Sequence, residues 1–297
     1  MAHGSWMEPK TLGFSGLGVM GGRMCRNLKQ KSGKPVIGFD QDAGKMTALA
    51  AHGVSPATSV ADVAEAADIV FLCLPGEPQV RSACLGTDGV IAHLSPGNIL
   101  VDMTTDTVAV ARDLAEACTA KGAAFADAPV ARGVPAAEAG TLSITVGAEP
   151  ELFDHIQPFL ACMGEEISLC GGTGTGQVLK LMNNMVVFAN VSTLAEAMAI
   201  GSRAGVDRKV LFDTLARGSA DSYTLRKHGQ HMITGDYPDD QFPITYSLKD
   251  LGYALDMAEQ VGVDAKGAKL VRARFEESVA RGDGKLYSPA IYKLFEE

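Results

Sequence analysis

The sequence predicts an α/β domain built on a parallel sheet, residues 10–170, followed by an all-helical domain, residues 171–297. Three observations carry this prediction. Short apolar runs alternate with helical patterns as far as Val146. No convincing strand pattern follows Thr175. A G-x-G-x-x-G motif stands where the first strand gives way to the first helix. Strands separated by helices mean βαβ units, whose strands pair in parallel and are covered on both faces.

Bulk composition fits two globular domains. The chain has 297 residues, 46 % of them hydrophobic and 21 % charged, which supplies a real core and argues against disorder. The net charge of −9 and the lack of any Lys/Arg run exclude a general affinity for nucleic-acid phosphates. The six cysteines, at 25, 73, 84, 118, 162 and 170, form no C-x-x-C pair and sit mostly among apolar neighbours. They read as small core residues of a reducing cytoplasm, not as a disulfide framework or a metal site. The opening Met1–Met7 has no positive patch before an apolar core, so it reads as an expression leader with Met7 as the natural start. The longest apolar candidate, 182–200, is interrupted by Asn183, Asn184, Asn190 and Glu196, so no membrane span is expected.

Taken in order, 11–15 is a strand ending in glycines, 19–31 a helix stopped by Gly33, and 35–40 a second strand. Residues 42–51 are helical, with Gly53 closing them. Strands follow at 68–74, 98–103, 123–130 and 142–146, with helices at 78–85 and 108–120. The run Ile69-Val70-Phe71-Leu72 is continuously apolar, as a strand covered on both faces should be. Gly171-Gly172-Thr173-Gly174 is a hinge-like stretch. Helices are then expected over 177–204, 207–217, 225–234, 247–261 and 264–281.

The glycine motif is Gly16-Leu17-Gly18-Val19-Met20-Gly21. Its first glycine allows a tight turn, its second lets backbone approach a pyrophosphate, and its third lets helix and strand pack closely. Phosphates then meet the free N–H groups of a helix N-terminus. Preceded by a strand and followed by a helix, the motif predicts a Rossmann-type dinucleotide site. Asp40 ends the second strand, 24 residues after Gly16. A carboxylate there accepts from ribose hydroxyls and repels a 2′-phosphate, and no arginine follows it in 39–43. The expected cofactor is therefore NAD. The alternative role for Asp40 is to cap the helix that starts near Asp42.

Lys180 and Asn184 are i and i+4 on the long helix, so they share a face, and Gln177 precedes Lys180 by one turn. Apolar Leu179, Leu181 and Met182 flank them. A lysine in such surroundings either reaches out to the rim or exchanges a proton with a carbonyl while hydride arrives. Asn184 can bond the same oxygen or hold the amine. His228 and His231 are i and i+3 but lack a third ligand, so they read as exposed helix histidines and no metal is expected. Ser219, Asp221 and Ser222 form a polar turn that caps the helix from Tyr223, and Phe242 before Pro243 is a candidate pocket wall.

From about Lys10 onward the chain resembles the β-hydroxyacid dehydrogenase family. The resemblance is carried by residues 16–21 with Met24, Asn27 and Leu28, by Leu74-Pro75, and by Thr104-Thr105. It is also carried by Asp127-Ala128-Pro129-Val130, by 174–184 and by Lys249-Asp250-Leu251. It implies that Leu74, Pro75, Gln79, Thr105 and Lys249 join residues 16–21 and Asp40 around the cofactor. It implies that Lys180 is the catalytic lysine and Asn184 its partner, both also touching substrate. It implies that residues 131–133 line the substrate. There the family usually has Ser-Gly-Gly, and this chain has Ala131-Arg132-Gly133. The guanidinium of Arg132 suits a strong anionic head, similar to what sulfolactaldehyde reductases carry. Its alternative is an ion pair with Glu138 or exposure to solvent. The expected activity is hydride transfer between NAD and a small anionic β-hydroxyacid or its aldehyde, in a cytoplasmic homodimer or homotetramer. Imine reduction and a non-catalytic NAD-binding module are the rival classes. The presence of Lys180 weighs against both.

Overall fold

A computed structural model describes residues 6–296. The proposed leader therefore lies mostly outside the described residues. The described chain packs as two compact units, one ending at Lys180 and the other starting at Leu181. The boundary expected at 170/171 from the change of pattern falls at the end of a strand, whereas the packing boundary falls inside a helix.

The first unit begins with β1 (Leu12–Ser15), α1 (Gly21–Ser32), β2 (Val36–Phe39), α2 (Ala43–Ala50), β3 (Ser55–Pro56) and α3 (Val60–Ala66). It continues with β4 (Ile69–Leu72), α4 (Glu77–Leu85), α5 (Val90–His93), β5 (Ile99–Asp102), α6 (Val108–Ala120) and β6 (Ala124–Asp127). Then come β7 (Val130–Ala131), α7 (Gly133–Ala139), β8 (Leu142–Gly147), α8 (Pro150–Leu160) and β9 (Gly164–Gly171). Helix α9 (Thr175–Arg203) runs from the first unit into the second. The second unit adds α10 (Arg208–Leu215), α11 (Tyr223–Thr234), α12 (Ile244–Gln260), α13 (Lys266–Ala280) and a 3-10 segment (Ser288–Phe295).

The strands form one sheet in the order β3-β2-β1-β4-β5-β6-β8-β7, with β9 also paired to β8. Pairing is parallel from β3 to β6 and turns antiparallel where β8 meets β6 and β7. The purely parallel sheet expected from sequence thus acquires an antiparallel edge. The run 123–130 splits at Ala128-Pro129, because a proline cannot continue the ladder. Alternate residues of β4 face opposite ways: Ile69 and Phe71 join one buried cluster with Leu12 and Phe14, Val70 and Leu72 join the other. The short helices α3, α5 and α7, helix α8 and strands β3 and β9 went unread in the sequence. All but α8 are too short, too polar or too interrupted for periodicity to mark them; α8 carries a plain helical period, Leu152, Ile156, Phe159 and Leu160, that the expected elements omit.

The helices stop and start by ordinary means. Gly33 ends α1 in the left-handed region, and Asp42, Ser59, Thr107 and Asp207 cap α2, α3, α6 and α10. Helix α9 is long and apolar enough, by length and composition, to cross a membrane. Here its Phe188, Val191, Leu194, Ala195 and Met198 supply the core of the second unit, together with Phe212, Leu251 and Phe275.

Candidate active site

The glycine loop leaves β1 and enters α1. Gly16 has φ +90°, and a Cβ there would run into the carbonyl oxygen of Cys73. A Cβ on Gly21 would strike the carbonyl of Gly16, so the loop and α1 can close on each other only without side chains. Gly18 is different: a Cβ there would meet nothing within 4 Å. Its bareness is not needed for packing, and it leaves a cradle open at the head of α1, which starts without a side-chain cap. Uncapped first-turn N–H groups beside an open backbone are the donor set that a pyrophosphate requires. Leu17 is buried, Val19 is exposed, and Met20 packs partly against the core.

Asp40, just past the end of β2, does not cap α2; Asp42 does, accepting from the Gly44 N–H at 2.8 Å. Asp40 accepts instead from the N–H of Leu17 at 2.7 Å, which ties it to the glycine loop, and from the N–H of Asp42 at 2.9 Å. Burial raises its carboxyl, but these N–H groups and Lys45 at 3.3 Å outweigh that and hold it below the ordinary value. The donor set and this ionised carboxylate together fit a dinucleotide.

The loops that follow β4 and β5 are tied to each other. The Leu74 N–H donates to Thr104 Oγ1 at 3.0 Å, and the Thr104 N–H to Asp102 Oδ1 at 2.9 Å. Pro75 and Gln79 are exposed on the entry to α4, and Thr105 is half-buried.

Asp127 ends β6, fully buried, at the head of α9. Its Oδ1 accepts from the Gly174 N–H at 2.6 Å and its Oδ2 from the Gln177 N–H at 2.9 Å. Gly147 and Gly176 are bare where they flank it, since a Cβ on either would meet its carboxylate oxygens. The acid thus caps a helix from a distant strand. Burial raises its carboxyl to about 6, with the helix N–H groups pulling the other way. Lys180 is buried one turn into this helix, and Asn184 is buried one turn further on.

In the second unit the Asn184 side-chain N–H donates to Asp250 Oδ2 at 2.6 Å, while the Lys249 ammonium lies 3.0 Å from Asp250 Oδ1. A carboxylate only accepts, so this contact fixes the amide; its Oδ1 accepts from the Asn183 side-chain N–H at 3.1 Å and keeps a second lone pair for a further donor. Lys249 also stands over the rings of Tyr253 and Tyr246, at 5.0 and 5.9 Å.

Residues 131–133 enter α7 through a strained turn. Arg132 has φ +84° and is the only non-glycine residue at positive φ among the described residues. It occupies a position that suits glycine. Its guanidinium lies 2.5 Å from Glu165 and 3.8 Å from Glu166 on β9, and donates to the Thr141 carbonyl at 3.2 Å. Glu138, the partner that sequence offered it, pairs instead with Arg23 and Arg26, at 2.9 and 2.6 Å.

Sequence reasoning did not give roles to Asp127, Gln177, Asp250 or Glu165. The first two could have been suspected from the glycines around them. The other two depend on strand and helix neighbours far apart in the chain. His228 is buried rather than exposed. Burial drives its imidazole down to about 4, and its ring packs on Tyr287 at 5.3 Å. Ser222 does cap α11, accepting from the Leu225 N–H at 3.0 Å, and Phe242 stacks on Phe188 at 6.1 Å. Among the described residues no three His, Cys, Asp or Glu side chains gather as a metal site would need.

Residues 11–172 match the NAD binding domain of 6-phosphogluconate dehydrogenase, and residues 174–295 match the NAD-binding domain of NADP-dependent 3-hydroxyisobutyrate dehydrogenase. This chain belongs to the β-hydroxyacid dehydrogenase family. It is 35 % identical to 3-hydroxyisobutyrate dehydrogenase of Pseudomonas aeruginosa, over 96 % of this chain and 98 % of that one. It is 33 % identical to 2-(hydroxymethyl)glutarate dehydrogenase of Eubacterium barkeri, over 96 % and 95 %. Among solved structures, Mycobacterium tuberculosis 3-hydroxyisobutyrate dehydrogenase with L-serine superposes with a TM-score of 0.88 at 28 % identity, covering 97 % of this chain and 99 % of that one. The family member described here is thus an NAD(P)-dependent hydroxyacid dehydrogenase acting on a CH–OH group or its carbonyl counterpart. Imine reduction is not favoured by these relatives.

Proposed function

We propose that this protein interconverts a small anionic β-hydroxyacid and its semialdehyde, with Lys180 as the proton donor and acceptor and NAD as the preferred cofactor. The observation that carries this reading is the buried Lys180 on a helix whose head is capped by Asp127. When bound, the nicotinamide supplies or accepts the hydride. Residues 16–21 and Asp40 would hold the dinucleotide, and Leu74, Pro75, Gln79 and Thr105 would border it; the family resemblance adds Lys249 to the same role. Lys180 gives its proton to the carbonyl oxygen as the alcohol forms, and takes it back in the reverse direction. Asn184, its amide oriented by Asp250, accepts from the substrate hydroxyl or from the lysine ammonium. The ionised Asp40 supports NAD, because a 2′-phosphate would face a carboxylate. Ala131, Arg132 and Gly133 meet the substrate's anionic head, which displaces Glu165 from the guanidinium. Six free thiols support a reducing cytoplasm, and the assembly is a homodimer or homotetramer, to be read by light scattering.

The test is oxidation of NADH, and separately NADPH, against succinic, methylmalonate and tartronate semialdehydes and 3-sulfolactaldehyde. Lys180→Ala should lower kcat by roughly 10²–10⁴-fold. Arg132→Ala should raise KM for the best anionic aldehyde, a sulfonate among them. Full activity of Lys180→Ala removes the mechanism, and a preference for NADPH removes the argument from Asp40. An unchanged KM in Arg132→Ala makes Arg132 a strap to β9.

A further inference from the structure

We infer that Gln177 is a positioning residue: its buried amide pins the head of α9, and with it Lys180, to the loop of residues 104–106. The inference rests on the reading of Lys180 as the proton-transfer group. Gln177 is fully buried, so every polar atom of its side chain must find a partner. Its Oε1 accepts from the Asp106 N–H at 3.0 Å, and its Nε2 donates to the Thr104 carbonyl at 2.8 Å. The two contacts flank Thr105, so that residue is held from both sides. The same loop is tied to the turn after β4 by the Leu74 N–H on Thr104 Oγ1, at 3.0 Å. The backbone N–H of Gln177 is one of the two that Asp127 accepts. A helix rises about 1.5 Å per residue and transmits displacement rigidly, so moving Gln177 moves Lys180 three residues on.

The requirement is for a donor and an acceptor side by side, which a primary amide supplies. An ionised carboxylate offers only acceptors, and would set one against the Thr104 carbonyl. A protonated carboxyl again has both, its O–H replacing the Nε2 donor. Gln177→Glu is therefore a titratable version of the wild-type side chain. The ionisable groups around it are Asp106 on the loop, whose N–H it binds, Asp127 on β6, which accepts from its N–H, and Lys180 on its own helix, with Asp102 of β5 coupled to both acids. Cys84 of α4 faces Asp102 and Asp106. Full burial and the neighbouring acids raise the introduced carboxyl above the usual range, against the pull of Lys180.

The experiment compares Gln177→Glu with wild type from about pH 5.5 to about pH 9, using hydrogen–deuterium exchange and kinetics. At low pH, where the new carboxyl is protonated, kcat should lie within about threefold of wild type for whichever panel aldehyde is fastest. It should fall by roughly tenfold or more as the carboxyl ionises. At low pH, where the loop around Thr105 stays held, the affinity for NADH, read by fluorescence, should also lie within about threefold of wild type. Over the same pH rise, exchange in residues 104–107 and 174–180 should increase together relative to wild type. Folding is checked by circular dichroism at each pH. A folded Gln177→Glu whose kcat ratio and exchange ratio stay flat with pH overturns the inference. So does deprotection of 174–180 without 104–107. Lys180→Ala is run alongside. If it keeps full activity the proton-transfer reading has failed. If it is inactive while Gln177→Glu tracks wild type, only the positioning role has failed.

Discussion

Asp102 ends β5 and Asp127 ends β6, and the two are partners in register in the same sheet. Both are fully buried, and both carboxyls are pushed above the ordinary value by burial. Asp127 faces the head of a helix and accepts two backbone N–H groups. Asp102 accepts one, from Thr104, and its Oδ2 has no hydrogen-bond partner among the described residues. The carboxyls accordingly titrate apart, Asp127 at about 6 and Asp102 at about 8, with burial first and neighbouring Asp106 next in raising the latter. At neutral pH one is mostly a charged cap and the other mostly a neutral acid. Burial alone does not decide what an acidic residue does; the N–H groups aimed at it and the carboxyls beside it do.

The largest expected effect comes from removing the charged cap. Asp127→Asn at about pH 7.5 turns one acceptor into a donor facing an N–H group. It should cost about 2 kcal/mol. For a chain of this size that lowers Tm by roughly 3 °C, and kcat should drop at least about tenfold because α9 carries Lys180. Differential scanning calorimetry and the NADH assay read both. Asp102→Asn should do far less at low pH, where the native side chain is already neutral. If the two variants cost the same, the distinction between cap and neutral acid is broken.

The second effect is on the pH dependence. Folded Asp102 keeps its proton to about 8, whereas the unperturbed group releases it at 3.8. The folded state therefore binds more protons than the unfolded one between these values, and stability must fall as pH rises through them. Wild-type Tm should decline from about pH 5 to about pH 8.5, and Asp102→Asn should flatten that decline. An equally steep decline in the variant places the titration elsewhere. The smallest effect separates the cap from the strained turn five residues on. Arg132→Gly removes a left-handed non-glycine residue worth about 1–2 kcal/mol of strain and loses a half-exposed ion pair worth less than about 1 kcal/mol. Its Tm should rise by roughly 2 °C, with the pH dependence unchanged.

What the sequence by itself determined is local. The glycine loop, the alternation of strand and helix, the long apolar helix and the Lys180–Asn184 face were legible. Each rests on residues within a few positions of one another, and backbone sterics or helical periodicity act over that range. The tertiary structure alone decided the rest. It gave β8 its antiparallel place and turned Asp127 into a cap for a helix that begins at Thr175. It also put the Gln177 amide on Thr104 and Asp106, and gave Arg132 to Glu165 rather than Glu138. The side-chain partnerships among these span 33 to 73 residues of chain. They exist because a buried polar group must be satisfied by whichever strand or loop the folded sheet brings beside it, and no spacing in the sequence records which one that is.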